Sequence, residues 1–270
     1  MKTQVNALLL AYDDRGMGLP VIFLHAFPLN RQMWAGEIQA LLTDQRYRLI
    51  ALDWRGFGES EITSSPIKPV VSSMAMFADD VAGLMDTLGI QQAVLCGLSM
   101  GGYVAFAFAR KYPQRLRGLI LADTRPGDDA PAARANRENV AQLAESQGTG
   151  AVADLLLPNL ISPYTRQHQP EVEVRVRQLI DAATPHGIAA ASRGMAVRAD
   201  SSNLLAKITC PTLVIVGEED ALVSPQVGRD YAAQIPGSQF VLIPRAGHLS
   251  NLEQPQAFIQ AIRQFLQTLS

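Results

Sequence analysis

Short apolar runs alternate with longer amphipathic segments along most of this chain, and this alternation constrains the fold more than any other feature. Each run is too short for a buried helix, and the segments between the runs carry apolar residues at helical spacing. Apolar strands joined by crossover helices are typical of a mostly parallel sheet with helices on both faces. The sequence therefore predicts an α/β fold. The predicted strands are Val21–Leu24, Tyr47–Leu52, Ala93–Cys96, Leu119–Ala122, Thr212–Val216 and Phe240–Ile243, and the predicted outer helices are about Met33–Leu42, Met74–Leu88, Met100–Lys111, Pro225–Gln234 and Gln254–Leu269.

The alternation stops after Asp123 and resumes after about Leu205. Between them lies an Ala- and Arg-rich stretch in which Tyr164 is the only aromatic residue. Amphipathic helices fit Ala132–Ser146 and Glu171–Ala183, with breaks expected at Gly148, Gly150, Pro158, Pro163 and Pro185. We expect one core domain, residues 1–123 and 206–270, with residues 124–205 forming a helical cap insertion.

Charge and composition exclude several classes of partner. The 23 Lys and Arg residues against 25 Asp and Glu residues give a net charge of -2, so there is no basic surplus for nucleic acid or anionic membranes. No apolar stretch approaches the ~20 residues that span a bilayer, and the N-terminal run Ala7–Tyr12 ends before signal-peptide length. Cys96 and Cys210 stand singly in apolar runs, as expected for buried free thiols. These features favour a cytoplasmic protein that acts on a small molecule; they do not predict its oligomeric state.

The most informative local motif is Gly97-Leu98-Ser99-Met100-Gly101, which matches G-x-S-x-G. It lies between a predicted strand and a predicted helix, where a serine is held on a sharp corner with its hydroxyl exposed. Glycines are needed because flanking side chains would collide with the neighbouring strand or helix. The motif predicts Ser99 as a catalytic nucleophile.

A serine hydroxyl needs a positioned base, usually histidine, and the chain has 4 histidines. His25 ends an early strand, and His168 and His186 lie in the insertion. His248 follows the last predicted strand. The carboxyl ends of parallel strands converge on one crevice, so a residue there can reach the nucleophile. We therefore predict His248 as the base.

The acid that orients the base is expected between the nucleophile and the base, beyond a strand end. Asp220 fits, because Gly217 allows the chain to turn where its strand finishes. Asp123 also ends a strand and competes for this role, although a loop-fixing role suits it better. Glu218 and Glu219 have the pattern of solvated loop charges. We predict Asp220 as the acid.

Negative charge develops on the carbonyl oxygen during acyl transfer, and each backbone donor to it is worth about 10²–10³ in rate. We expect one donor to be the N–H of Met100, at the start of a helix. The second is expected from the loop after the first predicted strand, as the N–H of Phe27. Pro28 has no N–H and is excluded.

Taken together, these segments resemble the α/β-hydrolase-fold serine hydrolases over essentially the whole chain outside the insertion. The resemblance rests on His25-Ala26-Phe27-Pro28, on Asp53-Trp54-Arg55-Gly56-Phe57-Gly58-Glu59-Ser60, on the elbow Gly97–Gly102, on Gly217–Asp220 and on Gly247-His248. Ala26 departs from the family pattern, which usually has glycine there, and adds a Cβ near the oxyanion hole. Within the family the chain is most similar to carboxylesterases and 3-oxoadipate enol-lactonases.

The resemblance implies hydrolysis of small to medium carboxylic esters or lactones, with a mainly apolar acyl or aryl part. Two alternatives stay open: a carbon–carbon bond hydrolase of aromatic-degradation type, and a hydrolase-fold ligand-binding protein with slow turnover. A dicarboxylate substrate would need cationic groups, which arginines of the insertion supply unless they form a solvated helix face. They are Arg134, Arg137, Arg166, Arg175, Arg177, Arg193 and Arg198.

The sequence gives no reason to expect a cofactor or a metal. In Gly56-Phe57-Gly58 the third glycine of a dinucleotide-binding G-x-G-x-x-G would fall at Glu61, so the segment is predicted to be a structural turn near the pocket rim. His, Cys and carboxylate residues lack metal-ligand spacing.

Overall fold

The computed structural model describes residues 1–62 and 69–269, and within them one mixed sheet of eight strands forms the centre of the molecule. Its spatial order is β1-β2-β4-β3-β5-β6-β7-β8. The strands β3 to β8 run parallel, whereas β1 and β2 pair antiparallel at one edge. The strands are β1 Lys2–Val5, β2 Leu8–Gly16, β3 Leu19–Leu24, β4 Tyr47–Leu52, β5 Ala93–Leu98, β6 Leu116–Ala122, β7 Thr212–Gly217 and β8 Gln239–Ile243.

Helices cover both faces of the sheet, which confirms the predicted α/β fold. Along β3, Ile22 and Leu24 belong to one buried cluster, whereas Val21 and Phe23 belong to another on the opposite face. This is why the parallel strands read as continuous apolar runs. The helices are α1 Ala35–Leu42, α2 Met74–Thr87, α3 Met100–Lys111, α4 Pro131–Leu160, α5 Pro163–His168, α6 Pro170–Asp181, α7 Pro185–Ala196, α8 Pro225–Ala232, α9 Ser250–Glu253 and α10 Pro255–Gln267.

The six predicted strands are all present, but the sequence analysis missed β1 and β2. The second half of β2 is polar, and Asp14 near its end binds Arg48 of β4 at 2.7 Å. An antiparallel strand at a sheet edge does not need a continuous apolar run, so it lacks the signal that marked the others. The predicted helix from Met33 is also different, because a 3₁₀ turn, Arg31–Trp34, precedes α1. Both cysteines are free; Cys96 is buried, and Cys210 is only partly so.

The insertion between β6 and β7 holds α4 to α7, with both predicted amphipathic segments in α4 and α6. The expected breaks at Gly150 and Pro158 are wrong, because α4 continues through both. Only Gly148 departs from helical geometry, with φ 82° and ψ -174°, and it kinks the helix. Pro158 cannot donate to the carbonyl four residues earlier, yet α4 continues to Leu160, and Leu157 and Leu160 beside the proline are buried. Pro163 and Pro185 start α5 and α7 rather than simply ending helices.

Polar contacts at Thr184 and Glu253 are among those that connect the insertion to the rest of the protein. The Thr184 hydroxyl before α7 donates to the carbonyl of Gly56 at 2.8 Å, so this glycine-rich turn anchors the insertion. The buried carboxylate of Glu253 accepts from Ser162 N–H at 2.8 Å and from Gly247 N–H at 2.9 Å. Glu253 therefore joins the insertion to the loop that carries His248.

A buried carboxyl group lies on α1. Glu37 is 1% exposed, and its Oε1 atom has no hydrogen-bond partner among the described residues. Burial raises the pKa of this carboxyl to about 8, although a hydrogen bond with Asn251 opposes the shift. Glu37 is therefore protonated in the folded protein at neutral pH.

This protonation makes stability depend on pH. The unfolded chain loses the Glu37 proton near its ordinary pKa of 4.5, whereas the folded protein keeps it up to about 8. Between these values the folded state binds the extra proton, so the free energy of unfolding falls as pH rises, by about 1.4 kcal/mol per pH unit. Glu37→Gln removes this titration. We expect the variant to gain stability relative to wild type from pH 5 to pH 8, measured by urea denaturation.

The exposed Glu171 of α6 supplies the matched control. Glu171→Gln should leave the slope of stability against pH unchanged. Parallel curves for wild type and Glu37→Gln would contradict the assignment of a protonated carboxyl at position 37.

Candidate active site

Ser99 lies on a strained corner between β5 and α3. Its φ of 53° and ψ of -113° are outside the regions that a non-glycine residue normally adopts. Ser99 N–H donates to the carbonyl of Ala122 at 2.9 Å, and Thr124 Oγ1 donates to the carbonyl of Ser99 at 2.8 Å. Hydrogen bonds on both sides of the residue thus maintain a conformation that would otherwise relax.

The glycines of the motif are required by close backbone approaches. A Cβ atom at Gly97 would lie 2.3 Å from the carbonyl oxygen of Gly101, and one at Gly101 would lie 2.0 Å from the carbonyl oxygen of Leu24. Neither backbone oxygen can move without disturbing the sheet or α3. The motif therefore reflects the tight packing of α3 against the central strands.

The structure brings Ser99, His248 and Asp220 into one hydrogen-bonded relay. His248 Nε2 is 2.8 Å from Ser99 Oγ, and His248 Nδ1 is 2.8 Å from Asp220 Oδ2. The other oxygen of Asp220 accepts from the N–H groups of Leu222 and Val223 at 2.7 and 3.0 Å. These backbone donors fix the orientation of the Asp220 carboxylate.

The hydrogen bonds assign the tautomer of His248 and shift its pKa. A carboxylate can only accept at Nδ1, which leaves Nε2 of the neutral ring to accept the Ser99 proton. Burial lowers the pKa of His248, but the charge of Asp220 and its hydrogen bond raise it more, and the net pKa is above the ordinary 6.5. The ring is thus a stronger base than an exposed histidine.

Asp123, the competing candidate for the acid, has other partners. One of its oxygens accepts from Gly217 N–H at 2.8 Å, and the other accepts from the Ser250 hydroxyl. Complete burial, together with repulsion from Asp220, raises the pKa of Asp123 well above its ordinary range. Asp123 connects the ends of β6 and β7 with the start of α9, whereas the carboxylate that accepts from His248 Nδ1 is that of Asp220.

The remaining histidines do not take part in the relay. His25 is buried, donates from Nδ1 to the carbonyl of Ala26 at 2.9 Å and accepts at Nε2 from Trp54 N–H at 3.1 Å. Burial lowers the pKa of His25 to about 3, so its ring is neutral at physiological pH. His168 and His186 are exposed on the insertion.

The loop after β3 carries Phe27, the predicted second backbone donor. The carbonyl of Ala26 accepts from His25 Nδ1 and from Leu29 N–H, both at 2.9 Å. In a trans peptide the next N–H points away from that carbonyl, so these bonds orient the N–H of Phe27. Phe27 lines the same cavity as Ser99. Ala26 itself is fully buried in the hydrophobic cluster that contains Leu29.

Ser99 and His248 open onto a cavity of about 320 Å³. The sheet domain and the insertion both contribute to its wall. Among the apolar residues of the insertion, Leu156, Leu160 and Met195 line it, whereas Leu157, Ile161 and Ile188 are buried in the cores and Leu155 is 48% exposed. The other lining residues are Phe27, Tyr103, Arg125, Asp129, Ala133, Asn136, Arg137, Val140, Asn159, Ala221, Leu222 and Val223.

One side of this cavity is cationic. Asp129 has a fully buried carboxylate that binds Arg125 at 2.9 Å, Arg137 at 3.0 Å and Arg198 at 2.8 Å. Burial alone would raise the pKa of Asp129, but the arginines lower it far below its ordinary range. Three guanidinium groups share one carboxylate, so the cluster keeps an excess of positive charge.

The sequence analysis found only part of this cluster. It named Arg137 and Arg198 among the arginines of the insertion, but not Arg125 or Asp129. Four other named arginines pair with acids near the protein surface: Arg134 with Asp128, Arg166 with Glu173, Arg177 with Asp154, and Arg193 with Glu138 and Glu145. The arginines around Asp129 differ from these surface arginines because their shared carboxylate is buried. No sequence pattern predicts that burial.

Over the residues that the structure describes, no group of three or more His, Cys, Asp or Glu side chains is arranged to hold a metal ion. Within the same residues, none of the helices is long and apolar enough to cross a membrane.

Comparisons with known proteins agree with this geometry. The chain is 47% identical to an esterase from Thermogutta terrifontis solved with malate bound, with a TM-score of 0.94 and coverage of 100% of this chain and 98% of the other. It is 30% identical to the enol-lactonase from Burkholderia xenovorans LB400, with a TM-score of 0.89 and coverage of 99% and 100%. It is also 32% identical to 3-oxoadipate enol-lactonase 2 of Acinetobacter baylyi, over 90% of this chain and 86% of that protein.

The family model for the alpha/beta hydrolase fold matches residues 20–255, which include β3 to β8 and every member of the hydrogen-bonded relay. The chain therefore belongs to the α/β-hydrolase fold family.

Proposed function

We propose that this protein is a serine hydrolase that cleaves small to medium carboxylic esters or lactones through an acyl-enzyme. The observation that carries the proposal is the relay from Ser99 through His248 to Asp220, with both hydrogen bonds at 2.8 Å and the serine facing a cavity. A relay of this kind activates a hydroxyl for attack on a carbonyl carbon. The esterase and enol-lactonase names among the relatives support the same class of substrate.

In the proposed acylation step, His248 Nε2 takes the proton of Ser99 as its oxygen attacks the carbonyl carbon. Asp220 keeps the ring oriented and stabilises the imidazolium that forms. His248 then gives the proton to the leaving alkoxide, which departs as an alcohol or, from an enol-lactone, as an enol that stays tethered to the acyl group. The ring returns to its neutral form with Nε2 free to accept again.

Water completes the cycle by the same route. His248 takes a proton from the water as it attacks the acyl-enzyme, and returns the proton to Ser99 when the carboxylic acid leaves. In both steps the N–H groups of Phe27 and Met100 are the proposed donors to the oxyanion. Met100 is the first residue of α3, so the helix dipole reinforces its N–H.

We also propose that residues 124–205 act as a cap on a core of residues 1–123 and 206–270. Support comes from the cavity, whose wall combines Ser99 and His248 of the core with Val140, Leu156 and Met195 of the insertion. A wall of this kind excludes water from the acyl group and selects substrates by shape. The final core residue, Ser270, lies outside the described residues.

The positive charge of the cavity narrows the proposed class of substrate. Arg125 and Arg137 face the same space as Ser99, and Asp129 neutralises only part of the charge of its three arginines. A carboxylate on the substrate, distant from the scissile bond, would complete this balance through charge-assisted hydrogen bonds. We therefore favour esters or lactones that carry one free carboxylate, such as monoesters of dicarboxylic acids.

Replacement of the nucleophile is the direct test. Ser99→Ala should lower turnover of a short-chain nitrophenyl ester on the order of 10⁴-fold, because the relay then has no attacking oxygen. Steady-state absorbance of nitrophenolate measures it. Ser146→Ala, at an exposed position in α4, should keep wild-type turnover. The proposal is wrong if wild type and Ser99→Ala are both inactive or equally active.

A panel of substrates separates the alternatives. Simple esters, an enol-lactone and a vinylogous diketone should be compared with wild type and Ser99→Ala. Turnover confined to the diketone would identify a carbon–carbon bond hydrolase. Saturable binding of all three without turnover would identify a ligand-binding protein.

The acid can be assigned by comparing Asp220→Asn with Asp123→Asn. Activity needs neutral His248, and the charge of Asp220 raises the pKa of that ring. In wild type the rise of kcat/KM with pH should therefore have its midpoint above about 6.5. Asp220→Asn should move this midpoint to lower pH and reduce kcat on the order of 10³- to 10⁴-fold.

Asp123→Asn provides the matched comparison, because Asp123 lies at the same edge of the sheet but binds Gly217 N–H and the Ser250 hydroxyl instead of His248. Its charge raises the pKa of His248 less than that of Asp220 does, so we expect a smaller downward shift of the pH midpoint and a loss of activity of no more than about tenfold. If Asp123→Asn alone loses activity, the assignment of Asp220 is incorrect.

The preference for an anionic substrate is tested at Arg137. Arg137→Gln should raise KM for a nitrophenyl monoester of a dicarboxylic acid by about tenfold and leave KM for the corresponding neutral ester nearly unchanged. Arg134→Gln removes a surface arginine from the same helix and should alter neither value. Equal effects of Arg137→Gln on the charged and neutral esters would argue against recognition of a carboxylate.

A further inference from the structure

A second cavity, of about 370 Å³, lies beside the catalytic one and shares only Tyr103 and Arg125 with it. We refer to it as the seam cavity, because its wall combines the start of α2 and the outer part of α3 with the chain that leaves β6 and the chain that returns from α7. Its lining residues are Ser73, Met74, Ala75, Tyr103, Phe106, Ala107, Arg110, Lys111, Arg125, Pro126, Val197, Arg198, Ala199 and Ser201.

The lining of the seam cavity carries positive charge. Among the described residues that line it, four are basic and none is acidic: Arg110, Lys111, Arg125 and Arg198. Lys111 pairs with Asp79, outside the cavity. The guanidinium of Arg110 instead donates to the main-chain carbonyl of Asp200 at 2.7 Å and to the Ser201 hydroxyl at 3.0 Å, both uncharged. Hydrogen bonds from Ser202 and the charge of Arg110 lower the pKa of the Asp200 carboxylate, which lies outside the lining. On the wall itself an anion would meet basic side chains and no acidic one.

Nitrogen atoms of the Arg125 guanidinium differ in their hydrogen bonds. Its Nη2 atom is bound to Asp129 at 2.9 Å, whereas its buried Nε atom has no partner among the described residues. A buried donor without an acceptor is costly, and most such groups in folded proteins are satisfied. Because this Nε atom is itself buried, Arg125 contributes to the seam cavity through its charge rather than through an open hydrogen bond.

The rest of the wall includes apolar side chains and the aromatic ring of Tyr103. Met74, Phe106 and Ala107 provide apolar surface, and Val197 at the edge is 66% exposed. The guanidinium of Arg198 lies 4.2 Å from the centre of the Tyr103 ring. A ring or short hydrocarbon chain packs against such surfaces, so the chemistry of the cavity is amphipathic.

We propose that the seam cavity is a second binding site, separate from the catalytic cavity, for a small organic carboxylate with an aromatic or apolar body. Its occupant connects α3 of the sheet domain with the segment that returns from α7. It also contacts Arg125, whose partner Asp129 holds Arg137 in the catalytic cavity. This site does not depend on the proposed hydrolase activity, since binding alone defines it.

The probe is 3-phenylpropanoate, with the neutral 3-phenylpropanamide for comparison, titrated calorimetrically into the full chain carrying Ser99→Ala, so that no turnover occurs. In that background, Arg110→Gln removes a positive charge from the seam cavity, and Val197→Trp fills part of its space. Each should weaken binding of the carboxylate by about tenfold or more, because a charge-assisted hydrogen bond or the cavity volume is lost. The amide should bind more weakly than the carboxylate.

Controls locate the bound probe. Arg110 and Val197 are both exposed, so their replacement should preserve the fold, and unchanged circular dichroism and thermal midpoints verify this. Arg134 lines neither cavity, so Arg134→Gln should leave the affinity for 3-phenylpropanoate unchanged. The proposal is overturned if the probe shows no saturable binding. It is equally overturned if Arg137→Gln weakens binding while Arg110→Gln and Val197→Trp have no effect, which would place the carboxylate in the catalytic cavity.

Discussion

The left-handed backbone of Ser99 is the constraint on which the rest of the site depends. A serine with φ of 53° directs its hydroxyl away from the sheet, but the conformation is unfavourable for any residue with a side chain. The central strands supply what maintains it: α3 approaches so closely that Gly97 and Gly101 tolerate no Cβ, and the Ala122 carbonyl and the Thr124 hydroxyl bind the backbone of Ser99 on its two sides. The energy that maintains this strained corner thus comes from the packing of the parallel sheet.

Asp123 and Asp220 lie at the ends of adjacent strands, but their carboxyl groups have different surroundings. Asp123 and Asp220 repel each other, and complete burial raises the pKa of Asp123 well above its ordinary range. Asp220 instead has two backbone donors on one oxygen and His248 on the other. Burial and like charge thus act against ionisation of Asp123, whose partners are Gly217 N–H and the Ser250 hydroxyl rather than His248. The different hydrogen-bond partners of the two aspartates place one at the loop ends and the other against the imidazole ring.

Features with a local signature could be predicted from the sequence. The continuous apolar runs gave the parallel strands, and the glycine spacing gave the position of Ser99. The edge strands β1 and β2 could not be found this way, because half of β2 is polar and its pairing with β4 depends on residues far along the chain. Pro158 was misleading for the opposite reason: a strong local signal near the end of α4 was overridden by the packing of the insertion.

The cluster of Asp129 with Arg125, Arg137 and Arg198 is the clearest feature that sequence patterns could not predict. Arg125 and Asp129 lie between β6 and α4, Arg137 lies in α4, and Arg198 follows α7, so no single spacing relates all four. What unites them is the burial of Asp129, a carboxylate that needs cations in order to stay charged. Arg198 faces the seam cavity, Arg137 faces the catalytic cavity, and Arg125 lines both. A single buried carboxylate on the insertion therefore binds arginines that line two neighbouring cavities.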